Sequence, residues 1–331
     1  MASWGRRLKL ECVSESEEGS DNLAKLSIIG AGAVGSTIAY TAMLNSSVNE
    51  IALFDLDFER AQAEVDDIGH AASLAGSSRI RSAKTLAETI QSDVVVITAG
   101  AKRKPGQTRL ELLAINDSIV LGMIPEILEH SPHTKIVIVS NPCDVLATRA
   151  VIQHSLPAKQ VFSSGNVLDS SRLAWILAQK LEVSVRSVSA WVLGEHGDSQ
   201  FPLWSQARIG GMPLLDFFGD GRIKQSELDE IAQQVRNAGA SVIAGKGATN
   251  YGIGASTVAI VEAIVKDQNV VLPVARMLDD YIGVTGVALS VPTIVNANGA
   301  EKPLMVPMSD GEKQLFKSSS DAVRASVESL D

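Results

Sequence analysis

Four short apolar segments recur in the first half of the chain, and they constrain its fold more than any other feature. They lie at 26–29, 50–57, 93–100 and 135–142 and read LSII, EIALFDLD, DVVVITAG and KIVIVSNP. Helical patterns at 34–44, 58–75 and 110–129 separate them. Strands that are apolar on both faces and alternate with helices indicate a parallel sheet that is covered on each side. The first half is therefore predicted to be a doubly wound α/β fold.

The second half of the chain has a less regular pattern. Its recognisable segments are a strand that runs into a polar turn at 187–196, a long helix at 226–247, strands joined by turns at 270–283 and a closing helix at 312–330. Strands and helices that do not alternate strictly indicate a second domain of the α+β type.

The composition disfavours several kinds of partner. The 331 residues carry a formal net charge of −9, which argues against a nucleic acid or a membrane surface as the main partner. No apolar run reaches the roughly 18 residues that span a bilayer. The cysteines, Cys12 and Cys143, are too few for a disulfide framework and favour a reducing, cytoplasmic location. A small-molecule partner is expected, and no metal site is predicted.

A glycine-rich turn directly after the first apolar segment predicts a dinucleotide site. The residues from Gly30 to Gly35 read GAGAVG, and Asp55 lies near the end of the second apolar segment, twenty residues beyond Gly35. Gly30, Gly32 and Gly35 permit a tight turn and a close approach of the backbone to a pyrophosphate at a helix N-terminus. Asp55 can accept hydrogen bonds from both ribose hydroxyls and would repel a 2′-phosphate. The sequence therefore predicts a Rossmann domain that binds NAD rather than NADP.

Two further motifs supply residues suited to proton transfer. VLGEHGDSQFP (192–202) places His196 in a turn after a strand, and GNVLDSSRLAW (165–175) supplies Asp169 and Arg172. If 169–175 is helical, Asp169 and Arg172 share one face. A carboxylate beside an imidazole stabilises the imidazolium, and an arginine offers a planar fork for a substrate carboxylate. Each residue alone is more often structural, but together with an NAD fold they predict hydride transfer coupled to proton transfer at a carbinol.

At these motifs the sequence closely resembles the L-lactate/L-malate dehydrogenase family. The resemblance covers about residues 23–330 and is carried by GAGAVG, TAGAKRKPGQTR, VSNPCDVL, NVLDSSR and LGEHGDS. It implies a two-domain fold in which a mobile loop closes over the substrate. It also implies an NAD-dependent 2-hydroxy acid dehydrogenase.

The resemblance further implies roles for individual residues. His196 would be the proton acceptor and donor, with Asp169 as its partner. Arg172 would clamp the substrate carboxylate, and Arg109 on the loop would polarise the reacting carbonyl.

Three more positions would complete the pocket by resemblance. Asn141 would contact the carbonyl oxygen or the nicotinamide ribose, so it would serve both substrate and cofactor. Thr249 and Ile253, in KGATNYGIG, would line the pocket for the substrate and the nicotinamide.

The loop AKRKPGQTR (101–109) holds the position on which substrate choice depends in the family. That position lies six residues before Arg109; the resemblance implies Gln there in lactate enzymes and Arg in malate enzymes, and here it is Arg103. Oxaloacetate has a second carboxylate that Arg103 could pair. Beside the methyl group of pyruvate, Arg103 would be a buried unpaired charge, at a cost of roughly several kcal/mol. With Lys102 and Lys104 expected to be solvated, the sequence predicts a malate dehydrogenase that interconverts malate and oxaloacetate.

Other features favour the alternative of an L-lactate dehydrogenase. LGEHGDS, the N-terminal extension and Thr249 are of the lactate type by resemblance, and Arg103 would then turn to solvent. Another 2-oxo acid is a third alternative. A protein that keeps the NAD pocket but has lost catalysis is disfavoured. It predicts the loss of at least one of the four residues assigned to catalysis and the carboxylate clamp, and all four are present.

The resemblance also bears on assembly and domain division. Ala174 and Ser189 occupy the places where sugar-bisphosphate-activated bacterial lactate enzymes carry a basic residue and a histidine, so that activation is not expected. A homo-oligomer is expected, and the N-terminal extension favours a tetramer over a dimer. The predicted division is an arm at 1–22, an NAD-binding Rossmann domain at 23–165 and a substrate-binding, catalytic domain at 166–331.

Overall fold

The computed structural model describes residues 24–101, 106, 108–217 and 223–330, with the backbone alone at Arg109. The arm predicted at 1–22 lies outside the described residues, and so do the loop cations Lys102, Arg103 and Lys104. What the sequence predicts for them stays a prediction.

The described residues alternate between strands and helices in the first half of the chain and follow a mixed order in the second. The strands are β1 (Lys25–Ile29), β2 (Glu50–Phe54), β3 (Arg79–Ala83), β4 (Val94–Ile97), β5 (Lys135–Ile138), β6 (Val161–Ser163), β7 (Val188–Ser189), β8 (Val192–Leu193), β9 (Phe201–Pro202), β10 (Arg208–Ile209), β11 (Met212–Pro213), β12 (Val270–Leu272), β13 (Ala275–Met277), β14 (Ala288–Ser290), β15 (Thr293–Asn296) and β16 (Gly299–Pro303). The helices are α1 (Ala33–Leu44), α2 (Phe58–His70), α3 (Arg109–His130), α4 (Cys143–His154), α5 (Val167–Leu181), α6 (Leu214–Phe217), α7 (Gln225–Lys246), α8 (Tyr251–Val265) and α9 (Asp310–Glu328).

The main sheet confirms the doubly wound arrangement. Its strand order is β14-β13-β6-β5-β4-β1-β2-β3. The strands from β6 to β3 pair in parallel, in the order of the dinucleotide-binding fold. β13 and β14 extend the sheet as antiparallel strands at its β6 edge. The second half of the chain therefore completes the same sheet.

Residues of the central strands alternate between two apolar layers, which explains why these strands read as continuous apolar runs. Val94 and Val96 of β4 face one layer, together with buried residues of α1 and α8. Val95 and Ile97 face the other layer, with buried residues of α3 and α4. All four side chains are fully buried. A parallel sheet covered by helices on both faces requires this pattern, and it leaves the carboxyl ends of the strands open for a site.

The helix α8 is an element that the sequence pattern did not indicate. It reads YGIGASTVAIVEAIV, and glycine has a low helix propensity. The helix packs against α1 over the main sheet. A Cβ on Gly254 would lie 2.6 Å from Cγ2 of Thr37. Gly254 therefore permits the close approach of the two helices, and tertiary packing outweighs local propensity.

The remaining strands of the second half form small sheets, which agrees with the predicted α+β character. β7, β10 and β11 form one sheet, β12, β15 and β16 form another, and β8 pairs with β9. The strand predicted at 187–196 is two short strands, because β7 pairs with β10 whereas β8 pairs with β9. The predicted long helix and closing helix correspond to α7 and α9. None of the described helices has both the length and the apolar character needed to cross a membrane.

Candidate active site

The glycine-rich turn after β1 forms a narrow loop that leads into α1. Gly30 has a φ of +111°, a conformation that favours glycine. A Cβ on Gly35 would overlap the carbonyl oxygen of Gly30, whereas a Cβ on Gly32 would meet nothing within 4 Å. The helix α1 has neither a side-chain cap nor an acidic residue in its first turn. Its free N–H groups and the open space at Gly32 fit an anionic pyrophosphate.

Asp55 follows β2 and faces the same loop. Its Oδ2 accepts a hydrogen bond of 2.7 Å from the N–H of Ala31, and its Oδ1 accepts one of 3.0 Å from the N–H of Asp57. These bonds hold the carboxylate beside the glycine-rich turn, where it is half-buried. A carboxylate needs this placement to reach the ribose hydroxyls of a dinucleotide on the loop. The part that Asp55 takes in choosing NAD stays a prediction.

Three residues singled out in the sequence meet between α5 and the turn after β8. His196 Nδ1 lies 2.6 Å from Asp169 Oδ2, and Arg172 Nη1 donates to Asp169 Oδ1 at 2.8 Å. Asp169 and Arg172 are one turn apart on α5, in agreement with their spacing. The side chain of Asp169 is 1 % exposed, whereas those of Arg172 and His196 are 19 % and 25 % exposed. The carboxylate is thus shielded from water, while the imidazole and the guanidinium reach solvent.

Burial and ion pairing shift the pKa values of His196 and Asp169 in opposite directions. Burial alone would lower the pKa of His196, but the charge and hydrogen bond of Asp169, together with the charge of Asp144, outweigh it, so the pKa is raised. Burial would raise the pKa of Asp169, but His196 and Arg172 outweigh it, so the pKa is lowered. The pair therefore favours an imidazolium beside a carboxylate. Such an imidazole can hold a proton near neutral pH and transfer it to a substrate oxygen.

A cleft of about 350 Å³ joins this cluster to the glycine-rich turn. Among its lining residues are Asn141, Asp169, Arg172, His196, Thr249 and Ile253, all singled out in the sequence. Val34 of the GAGAVG turn lines it as well. The volume falls in the range of small-molecule sites, about 300–1,000 Å³. The cleft thus brings the dinucleotide loop and the proposed catalytic histidine to one space.

The helix α7 supplies a wall of the cleft that sequence reasoning missed. Arg236, Gly239, Ala240 and Ile243 line the cleft at the spacing i, i+3, i+4 and i+7, which is one face of a helix. Arg236 Nη2 donates to the carbonyl oxygen of Gln200 at 3.3 Å and so ties α7 to the His196 turn. The helical period could have grouped these residues, but no feature of the sequence marks which face meets a ligand.

Asn116 on α3 is a second contact that sequence reasoning missed. Its Nδ2 donates to the carbonyl oxygen of Asn141 at 2.9 Å, and its Oδ1 accepts from the N–H of Ala101 at 2.8 Å. This buried amide links the turn after β5 to Ala101, the first residue of the basic loop. Arg109 is the first residue of α3. The side chains of Arg109 and Arg103 lie outside the described part of the chain, and their roles stay predictions.

Two further observations delimit the site. Across the described residues, no group of three or more His, Cys, Asp or Glu side chains could hold a metal ion. A larger groove of about 510 Å³ lies between α1, α2 and α8, where Tyr40, Glu64 and Tyr251 are among its lining residues. It contains none of the residues of the His196 cluster. We therefore assign the chemistry to the smaller cleft.

Comparison with known proteins matches both halves of the chain. Residues 24–163 match the family model described as lactate/malate dehydrogenase, NAD binding domain, and residues 166–330 match lactate/malate dehydrogenase, alpha/beta C-terminal domain. The L-lactate dehydrogenase of Bifidobacterium animalis subsp. lactis is 42 % identical over 303 residues, which cover 91 % of this chain and 95 % of that protein. The L-lactate dehydrogenase of a Synechococcus species is 38 % identical over 306 residues, which cover 92 % and 99 %.

Solved structures of lactate and malate dehydrogenases are also similar to this chain. The minor L-lactate dehydrogenase from Enterococcus mundtii superposes with a TM-score of 0.90 at 34 % identity, and the match covers 94 % of this chain and 99 % of that one. The malate dehydrogenase from Salinibacter ruber superposes with a TM-score of 0.85 at 30 % identity, and the match covers 92 % and 97 %.

The prediction of a malate dehydrogenase is wrong. The relatives that contradict it are the L-lactate dehydrogenases of Bifidobacterium and Synechococcus and the structure from Enterococcus, all of them more similar to this chain than the malate enzyme from Salinibacter. The prediction rested on Arg103 alone and gave less weight to the lactate-type LGEHGDS turn and Thr249. One long side chain on a loop can turn between a pocket and solvent, so it constrains the substrate less than the residues packed around the cleft.

Proposed function

The chain belongs to the lactate/malate dehydrogenase family, and on that premise we propose that it is an L-lactate dehydrogenase, which interconverts L-lactate and pyruvate. NAD is its cofactor. The proposal is carried by the contacts of His196, Asp169 and Arg172 in a cleft that Val34 of the dinucleotide loop also lines. The similar L-lactate dehydrogenases support lactate and pyruvate as the substrate pair.

The reduction of pyruvate divides into the transfer of a hydride and the transfer of a proton. When bound in the cleft, NADH would supply the hydride for the carbonyl carbon of pyruvate. His196 donates the proton to the carbonyl oxygen, and it uses Nε2 because Nδ1 is engaged by Asp169. The products are L-lactate, NAD⁺ and a neutral imidazole. In the reverse direction the neutral imidazole accepts the proton of the lactate hydroxyl.

Asp169 and Arg172 prepare the site for these transfers. Asp169 fixes the orientation of the imidazole ring and stabilises its charged form. Arg172 uses Nη1 to hold Asp169, and its Nη2 lies 3.8 Å from the place of a Cβ on Gly239, at the α7 wall of the cleft. Arg172 can therefore pair with the carboxylate of pyruvate while it stays anchored to Asp169.

The test is NADH oxidation by the purified protein with pyruvate and with oxaloacetate in parallel. We expect kcat/KM to be higher for pyruvate. A higher value for oxaloacetate would refute the proposed substrate and leave the dehydrogenase chemistry intact. His196→Asn is the control for turnover by this site. Arg103→Gln is expected to retain pyruvate reduction, because the proposal gives Arg103 no carboxylate to bind.

We also propose that the enzyme is a cytoplasmic homo-oligomer, a tetramer rather than a dimer, with two domains that meet near residue 165. The family models end at 163 and begin at 166, which supports this division. Large apolar side chains are exposed on the neighbouring helices α1 and α8, among them Tyr40 and Tyr251, and such surface supports contact with a second copy. Light scattering of the purified protein tests the assembly: the mass of a single chain would refute the oligomer, and the mass of two chains would refute the tetramer.

A further inference from the structure

Asp144 is a buried carboxylate that the proposed mechanism does not use. It lies in the first turn of α4 and is 2 % exposed. Its Oδ1 accepts hydrogen bonds from the hydroxyl of Ser163 at 2.6 Å and from the thiol of Cys143 at 3.3 Å. Its Oδ2 accepts a hydrogen bond from the backbone N–H of His196 at 2.6 Å. Both oxygens are therefore engaged, and one of them holds the main chain of the proposed catalytic residue.

These bonds join three segments that build the cleft. Asp144 follows Asn141 at the turn after β5, Ser163 ends β6 just before α5, and His196 lies on the turn after β8. Ser163 Oγ also accepts from the N–H of Gly165 at 3.1 Å, which orders the entry into α5. The position of the imidazole over α5 thus depends on α4 as well.

The charge of Asp144 is the feature that a purely structural contact would not need. A buried carboxylate costs several kcal/mol in desolvation, and a neutral amide would offer the N–H of His196 an acceptor at lower cost. The N-terminus of α4 and the three donors offset the cost of the negative charge. Burial raises the pKa of Asp144 above its ordinary value, and the hydrogen bonds from Ser163 and from the His196 backbone offset this rise only in part.

The other charged groups near His196 come from three described elements. They are Asp169 and Arg172 on α5, Glu195 and Asp198 on its own turn, and Arg236 on α7. From α4, Asp144 is accompanied by the buried thiol of Cys143. Arg172 opposes a positive charge on the imidazole, whereas Asp144 and Asp169 both support it.

We propose that Asp144 is a positioning residue of this active site, whose ionised carboxylate fixes the backbone of His196 and stabilises the imidazolium that gives its proton to the substrate. The inference rests on the proposed function for the reaction in which Asp144 acts. Its effect on His196 exists in the protein without substrate. Asp169 acts on the imidazole through the ring nitrogen, and Asp144 acts through the main chain and through its charge.

The test compares the wild-type protein with Asp144→Asn. The amide preserves the shape and an acceptor for the N–H of His196, while the charge is lost. The His196 imidazole is followed by NMR as the pH is raised, and its signal is identified by its absence in His196→Asn. We expect the imidazole of Asp144→Asn to lose its proton at lower pH than in the wild type, because one of two stabilising carboxylates is gone.

The same substitution should affect pyruvate reduction and lactate oxidation differently. Pyruvate reduction needs the imidazolium, so its alkaline limit should move to lower pH, and kcat/KM for pyruvate near pH 8 should fall by about threefold or more. Lactate oxidation needs the neutral imidazole and should be retained under the same conditions. A structural defect alone would lower both directions together.

Ser163→Ala is the matched control. It removes one hydrogen bond from Asp144 and leaves the carboxyl group and its bond to His196 in place. Both variants are expected to lower Tm, but only Asp144→Asn should displace the titration of His196. Equal displacement in the two variants, or none in Asp144→Asn, would overturn the proposal and leave Asp144 as a structural contact.

The NMR measurement separates this inference from the proposed function. A wild-type protein that reduces no pyruvate would refute the proposed function, while the titration of His196 would still decide the role of Asp144. If Asp144→Asn does not fold, Asp144→Ser, which keeps a hydrogen-bonding group, is measured in the same way. Failure of both variants to fold would assign Asp144 to folding alone and overturn the proposal.

Discussion

The glycine-rich turn offers a way to separate folding from cofactor binding with one methyl group. Gly35→Ala and Gly32→Ala add that group at positions three residues apart. In Gly35→Ala the new Cβ would overlap the carbonyl oxygen of Gly30 and would lie 3.0 Å from its carbonyl carbon and from Thr98 Oγ1. In Gly32→Ala it would have no neighbour within 4 Å. The structure therefore predicts opposite outcomes for two substitutions that are alike in sequence.

The expected magnitude follows from what must move. The carbonyl of Gly30 belongs to the backbone and cannot rotate away as a side chain would. An added methyl in a packed interior costs about 1–3 kcal/mol, and a displaced backbone places Gly35→Ala at the upper end or beyond. About 3 kcal/mol corresponds to a Tm lower by roughly 6–12 °C in a domain of about 150–250 residues. Gly32 is the N-cap of α1, where alanine costs about 1 kcal/mol or less.

Thermal unfolding and a fluorescence titration with NADH measure the two effects on the same preparations. Gly32→Ala should keep nearly the Tm of the wild type but bind NADH more weakly, because its methyl group occupies the space through which a pyrophosphate approaches the backbone. Gly35→Ala should unfold at clearly lower temperature. An unchanged Tm in Gly35→Ala would refute the expected clash with the Gly30 backbone. An unchanged affinity for NADH in Gly32→Ala would refute the expected approach of the pyrophosphate at Gly32.

Other expectations concern the chemistry and the choice of cofactor. His196→Asn should lower kcat for pyruvate by about 10²–10⁴-fold with no loss of NADH binding, and near-normal turnover would remove His196 from the mechanism. Asp55→Ser should improve the use of NADPH relative to NADH by about tenfold or more, because a repelling carboxylate is gone; continued exclusion of NADPH in steady-state kinetics would place the choice elsewhere. Since the pKa of His196 is raised, pyruvate reduction should hold at neutral pH and fall as the pH rises through that pKa, while lactate oxidation rises over the same interval. Parallel pH profiles for the two directions would contradict this assignment.

The strands that are buried on both faces could be predicted from the sequence, whereas elements that are buried on one face or packed through glycines could not. The strands β1, β2, β4 and β5 are buried on both faces, so their sequences are recognisable as continuous apolar runs. β3 is the edge strand of the same sheet, is mostly only half-buried and reads RIRSA, so its sequence is not a continuous apolar run. The helix α8 was missed because glycine has a low helix propensity, whereas Gly254 serves close packing against α1, which only the tertiary structure reveals.

The candidate site was predictable at residues set by a local spacing. Asp169 and Arg172 are three residues apart on one helix, and their contact needs no knowledge of the rest of the chain. The bonds that Arg236 donates to Gln200 and His196 donates to Asp144 join residues 36 and 52 positions apart, and no periodicity encodes them. Malate specificity was predicted wrongly because a single charged residue was weighed against the whole framework.

The pairing of β13 with β6 means that the first half of the chain cannot complete its sheet until the second half has been synthesised. β6 pairs with β5 on one side and, through Ser163, with Ala275 of β13 on the other. Residues of α8 also cover part of one apolar face of the same sheet. As the chain emerges from the ribosome, its nucleotide-binding half therefore has an open strand edge and an uncovered apolar layer until residues 251–290 follow. A fragment that ends at 165 should therefore associate with itself, and we expect the two halves that the family models separate to unfold together in one thermal transition.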